Sequence, residues 1–118
     1  MAIRRKTIGT ITVLGVSGEF FGGKETDELR KAILDEAARG NSRLLLDLSF
    51  CTMMNSTALS VMAEAHKVYT ARQGEIKLCG LQKRMTSLLV MTRLINLFGH
   101  YPTESEAIAA FEASPAGA

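Results

Sequence analysis

Apolar and polar positions alternate between two periods along this chain, and the switches between them mark its elements. Thr7–Val16 (TIGTITVLGV) is rich in β-branched residues around a break at Gly9, which predicts one or two short strands. Ser17-Gly18 reads as a turn, and Phe20-Phe21-Gly22-Gly23 as an apolar pair leading into a flexible corner. From Lys24 the period lengthens: Leu29, Ala32, Ile33, Glu36 and Ala37 recur at helical spacing, with Gly40-Asn41 as the stop. Arg43–Leu48 (RLLLDL) is almost continuously apolar, as expected of a central strand buried on both faces.

Met53-Met54 closes that run before a polar corner, Asn55-Ser56-Thr57, and a second helix is predicted from Ser56 to about Arg72. Its expected core face is Ala58, Val61, Met62, Ala65, Val68 and Tyr69, with Ser60, Glu64 and Lys67 in water. Gln73-Gly74 ends it, and Glu75–Cys79 alternates as a strand. Met85, Leu88 and Leu89 imply a third helix within Gln82–Thr92, and Phe98–Tyr101 a short closing strand. Thr103 and Glu106 form a capping box ahead of a last helical segment, Ala107–Phe111. Strands alternating with helices after the opening strands predict an α/β fold: a mixed sheet of four to five strands, with parallel pairs, covered by about four helices. The expectation is one domain over residues 1–113 and a frayed tail, 114–118.

Composition narrows the function. The 118 residues carry a net charge of +2, which gives no electrostatic case for nucleic acid or an anionic membrane. The short basic run Arg4-Arg5-Lys6 reads as a solvated strand edge. Cys51 and Cys79 lie 28 positions apart with no CxxC and no nearby histidine, so no metal site and no cofactor is expected. Unpaired cysteines at the ends of apolar runs, with no signal peptide, fit a reduced, cytoplasmic protein. The apolar window Leu88–Phe98 is too short to span a bilayer.

The corner at residues 55–57 is the candidate site, because ligands and partners of such sheets collect at the carboxyl ends of strands. Hydrolase chemistry fails on context: Met54-Asn55-Ser56-Thr57-Ala58 is no nucleophile elbow. His66, about 15 Å further along the same helix, cannot serve Ser56 as a base. Gly22-Gly23-Lys24 lacks the spacing of a phosphate-binding loop. No catalytic residue is therefore assigned. A serine at a helix N-terminus is instead a mount for a phosphate, since unpaired N–H groups and the positive end of the dipole would stabilise it. Positions 56, 59, 60 and 63 share one helical stripe, which predicts Leu59 and Ala63 beside Ser56. Leu59 is then either an exposed docking residue or packed beneath a neighbouring loop.

An ordered set of residues carries a resemblance to a known family. Leu45-Leu46-Asp47-Leu48, Asn55-Ser56-Thr57-Ala58-Leu59, Lys77-Leu78-Cys79-Gly80-Leu81, Leu94-Ile95-Asn96-Leu97-Phe98, Tyr101-Pro102-Thr103 and Glu106-Ala107 resemble a STAS domain, and most closely the bacterial anti-sigma factor antagonists. The resemblance implies a partner-switching regulator without catalytic activity of its own. Its partners would be an anti-sigma factor serine kinase of the histidine-kinase-like ATPase type and a PP2C-type phosphatase. It implies Ser56 as phosphate acceptor, Thr57 as second choice, and a docking face of Asn55, Thr57, Leu59, Ser60 and Ala63. The alternative is a STAS scaffold subunit of a larger regulatory or transporter complex, never phosphorylated. Two positions depart from the family's usual corner: Asn55 stands where an acid is expected, and Ala58 replaces a glycine, which predicts tighter room for a partner.

Overall fold

In the computed structural model, which describes residues 3–113, a five-stranded sheet in the order β1-β2-β3-β4-β5 carries four α-helices. β1 (Ile3–Ile8) and β2 (Ile11–Phe20) form an antiparallel hairpin around Gly9, whose φ of +60° suits its place in the turn. α1 (Lys24–Ala38) returns the chain to β3 (Arg43–Met54), α2 (Ser56–Ala71) to β4 (Glu75–Cys79), and α3 (Lys83–Met91) with a 3-10 turn (Leu94–Leu97) to β5 (Gly99–Tyr101). β2, β3, β4 and β5 are parallel neighbours. α4 (Glu104–Ala113) ends the described chain. The expected α/β fold class holds, and the 114–118 tail lies outside the described residues.

The helix stops act where the sequence marks them. Gly40 N–H bonds to Ala37 O and Asn41 N–H to Glu36 O, the paired closure of a Schellman cap with Gly40 at φ +83°. α2 closes in the same way, with Gln73 at φ +61° and Gly74 N–H on Tyr69 O. Gly74 has a further reason to be glycine: a Cβ there would sit 2.8 Å from Ser42 O. Thr103 Oγ1 accepts from Glu106 N–H, and α4 begins at Glu104, three residues earlier than its apolar pattern. The 3-10 turn has no counterpart in the sequence pattern, because its apolar residues carry no helical or alternating period.

The predicted Ser17-Gly18 turn does not form. Both residues lie inside β2, where the pairing with β3 slips twice, between Gly15 and Ser17 and between Gly18 and Glu19. Bulges let the strand bend without leaving the sheet, so turn-type residues are absorbed into it. On β3 the consequence is that the core positions Leu48, Cys51 and Met54 recur every third residue rather than every second.

The sheet has unequal faces. On the front, Leu14, Val16, Leu44, Leu46 and Leu78 join residues of α1, α2 and α3 in the main core. On the back, Ile11, Val13, Leu45 and Cys79 are covered by Ala107 and Phe111 of α4. Leu44, Leu45 and Leu46 are fully buried, as the continuous apolar run required. Glu36 is buried too, and it is tied to Arg5 of β1 at 2.7 Å, to Arg39 at 3.2 Å and to Asn41 at 2.7 Å. That pairing holds its carboxyl below the ordinary value, chiefly through the Arg5 hydrogen bonds against the opposing cost of burial.

Candidate functional site: the strand–helix corner

β3 delivers its last residue, Met54, into the core and turns at Asn55 directly into α2. Asn55 makes the turn specific in two ways. Its N–H donates to Phe20 O at 2.9 Å, fixing the end of β3 to the end of β2. Its Oδ1 accepts from Ala58 N–H at 3.0 Å, so it is the N-cap of α2. Ser56 and Thr57 are the first two residues of the helix, and both are exposed. Neither hydroxyl has a hydrogen-bond partner among the described residues. No acidic or basic side chain stands in the first turn, so the positive end of α2 is left to solvent.

The two hydroxyls differ in their surroundings. Gly22, in the β2–α1 loop, lies so close to Thr57 that a Cβ on it would sit 3.3 Å from Thr57 Cβ. The loop is held there by Gly22 N–H donating to Thr26 Oγ1 at 2.9 Å, with Thr26 buried. Thr57 is thus flanked by a loop. Ser60, one turn on, donates its hydroxyl back to Ser56 O at 2.9 Å and stays exposed, and Ala63 is half-buried.

Of the two alternatives open for Leu59, the exposed docking residue is the one the structure overturns. Leu59 is only 7% exposed and belongs to the main core with Phe20, Met54 and Met62. The reason is lateral packing: α2 touches the sheet, α1 and the 3-10 turn, so its buried arc from Val61 to Leu59 is about 160° wide. The single apolar stripe drawn from spacing was too narrow. Ala58 is fully buried as well, so its methyl group lies in the core and takes no room from the outer surface of the corner. The exposed apolar group near the corner is instead Phe21, 57% exposed, next to Gly22. In the sequence Phe20-Phe21 reads only as an apolar pair; the burial of Phe20 makes Phe21 the outward member.

Neither cysteine presents an exposed thiol. Cys51 and Cys79 are free and buried, and burial pushes their thiols up to about 11 and about 12. His66 lies edge-on to the Phe98 ring at 5.7 Å, and His100 is exposed on β5. Asp47 lies within β3, where its Oδ1 accepts from Ser49 N–H at 3.0 Å and Ser49 Oγ–H at 2.6 Å. Among the described residues no group of acids, histidines or cysteines could hold a metal ion, and no helix is long and apolar enough to cross a membrane.

A mixed sheet with three helices on one face and a lone C-terminal helix on the other defines an α/β domain, with two exposed hydroxyls at the start of α2. The sequence profile of the STAS domain family matches residues 2–107, and the chain belongs to that family. Solved structures repeat the fold. The TM1081 protein of Thermotoga maritima superposes with a TM-score of 0.86 at 22% identity, over 93% of this chain and 94% of its own. An anti-sigma factor antagonist of Mycobacterium paratuberculosis gives 0.81 at 23% identity, over 93% and 92%. The anti-sigma factor antagonist SpoIIAA of Bacillus, in its unphosphorylated form, gives 0.75 at 15% identity, over 96% and 100%. No curated protein matches the chain in sequence.

Proposed function

We propose that this STAS domain is an anti-sigma factor antagonist that works by partner switching. The unmodified protein binds a serine-kinase anti-sigma factor of the histidine-kinase-like ATPase type. Phosphorylation on Ser56 releases it, and a PP2C-type phosphatase resets it. The observation that carries this reading is the exposed, unpartnered Ser56 hydroxyl on the first residue of α2, at the carboxyl end of a parallel strand. ATP belongs to the kinase, and the chain itself has no catalytic role.

The docking face is Asn55, Ser56, Thr57, Ser60 and Ala63, with the exposed Phe21 rather than the buried Leu59 as its apolar member. Ser56 is favoured over Thr57 because the β2–α1 loop stands beside the threonine, though both side chains are exposed. A phosphate adds nearly two negative charges beside Phe21 and the Asn55 amide. Repulsion and desolvation at a contact face then weaken binding by a few kcal/mol, enough to separate bound from released states.

Incubation with the cognate kinase and ATP, followed by intact-mass measurement, tests the switch. One phosphate should be added to the native chain and none to Ser56→Ala. The kinase should bind the unmodified protein more tightly than Ser56→Asp. Equal affinity for the two would refute the switch and favour a constitutive scaffold.

A further inference from the structure

The back of the sheet is only half covered. α4 packs over Ile11, Val13, Leu45 and Cys79, and Lys6 is drawn to its first residue, Glu104, at 2.8 Å. Beyond α4, on the same face, lies an open cavity of about 610 Å³ bordered by Arg4, Gly15, Ser17, Asp47 and Phe50. That volume is in the range of small-molecule sites, roughly 300 to 1,000 Å³.

The strand register arranges the charges. Arg4 pairs with Gly15, and Gly15 pairs with Asp47, so the three form one row across β1, β2 and β3. A cation and a carboxylate therefore stand two strand spacings apart, roughly 10 Å between Cα atoms, with no side chain between them. Arg4 forms no ion pair among the described residues. Lys6 and Arg5 also border the cavity, but Lys6 is paired with Glu104 and Arg5 with Glu36. Asp47 is half-buried and pre-oriented by Ser49.

The aromatic wall is a product of the first bulge. Gly15 faces Asp47 but Ser17 faces Phe50, so β3 spends three steps where β2 spends two. Leu48 and Cys51 remain in the front core, and Phe50 is turned out of it, 74% exposed at the edge of the cavity. A large aromatic side chain presented by an irregularity in a central strand is more than an incidental exposed residue, since bulges re-aim side chains beside sites.

We propose that this notch binds a small planar anion that also carries a hydrogen-bond donor: its anionic group on Arg4, its ring over Gly15 against Phe50, and its donor on Asp47. The guanidinium fork matches a carboxylate in two parallel hydrogen bonds, the phenyl ring offers a face or edge, and the carboxylate accepts. The site is separate from the Ser56 corner, and the proposal stands whether or not Ser56 is phosphorylated.

The test is a titration of the isotope-labelled full chain, followed by amide chemical shifts, with 4-aminobenzoate, benzoate and aniline as probes. Saturable shifts at Arg4, Gly15, Asp47 and Phe50 are expected with 4-aminobenzoate, and each single-ended probe should bind at least about tenfold more weakly, the worth of one charge-assisted hydrogen bond. Gly15→Val fills the notch, and its Cβ would meet Arg4 Cβ at an ordinary 3.8 Å. It should abolish saturation, as should Phe50→Ser and Arg4→Ala, two exposed positions whose replacement leaves the core intact even if Gly15→Val fails to fold. The proposal is overturned if 4-aminobenzoate gives no saturable shift up to about 10 mM. Equal binding of benzoate, or shifts that persist in Phe50→Ser and Arg4→Ala, overturns it too, the latter marking the probe as binding elsewhere.

Discussion

Gly22 and Thr57 lie in near contact: the β2–α1 loop passes so close to the first turn of α2 that a Cβ at residue 22 would be 3.3 Å from the Thr57 Cβ. Gly22 also has φ +89°, a conformation costly for any residue with a side chain. Gly22→Ala should therefore destabilise the fold by about 1 to 3 kcal/mol. Urea denaturation gives the size of the effect, and amide shifts at Ser56 and Thr57 show whether the loop has moved off the corner.

Asn55 accepts the Ala58 amide, and this sets a cost for removing it. Asn55→Ala should lose about 1 kcal/mol of stability, while Asn55→Asp should stay close to the native value because an aspartate caps equally well. Thermal unfolding of the three proteins decides this. A large loss in the aspartate variant would mean that the Asn55 side chain does more than cap.

Leu59 should matter to stability and Phe21 to binding. Leu59→Ala removes a buried side chain and should destabilise by about 2 to 5 kcal/mol. Phe21→Ser should change stability by no more than about 0.5 kcal/mol, yet weaken kinase binding. Denaturation curves for both, with calorimetric binding for the second, separate the two effects.

Glu36 makes the fold acid-sensitive. Its carboxyl is held below its ordinary 4.5, first by the Arg5 hydrogen bonds, so its contribution is fully present above that value. The contribution is lost as pH falls from about 4.5 through the lower folded-state value, where the buried carboxylate takes up a proton. Stability measured in urea between pH 7 and pH 3 should fall in that window, and the fall should be shallower in Glu36→Gln.

Both thiols should resist modification in the native state. Burial raises Cys51 to about 11 and Cys79 to about 12, so little thiolate is available near neutrality. A disulfide-exchange reagent should label them only as fast as the protein opens, and adding denaturant should accelerate both together.

What the sequence determined by itself was local. The Leu44-Leu45-Leu46 run specified a strand buried on both faces, Gly40 stopped the helix that precedes β3, and Asn55 capped the helix it precedes. Each of these follows from a residue's own backbone preference or from the period of its neighbours, so no long-range information is needed. Ser56 was legible for the same reason, as the first residue after a cap.

Tertiary structure alone decided which side of each element meets another. Leu59 is buried because α1 and the 3-10 turn widen the covered arc of α2. Ser17-Gly18 stays in the sheet because β3 bulges with it, and the same bulge puts Phe50 outside. Arg4, Gly15 and Asp47, far apart in sequence, fall in one row only through strand register. Burial and register are set by partners distant along the chain, and a periodicity read within one segment carries no record of them.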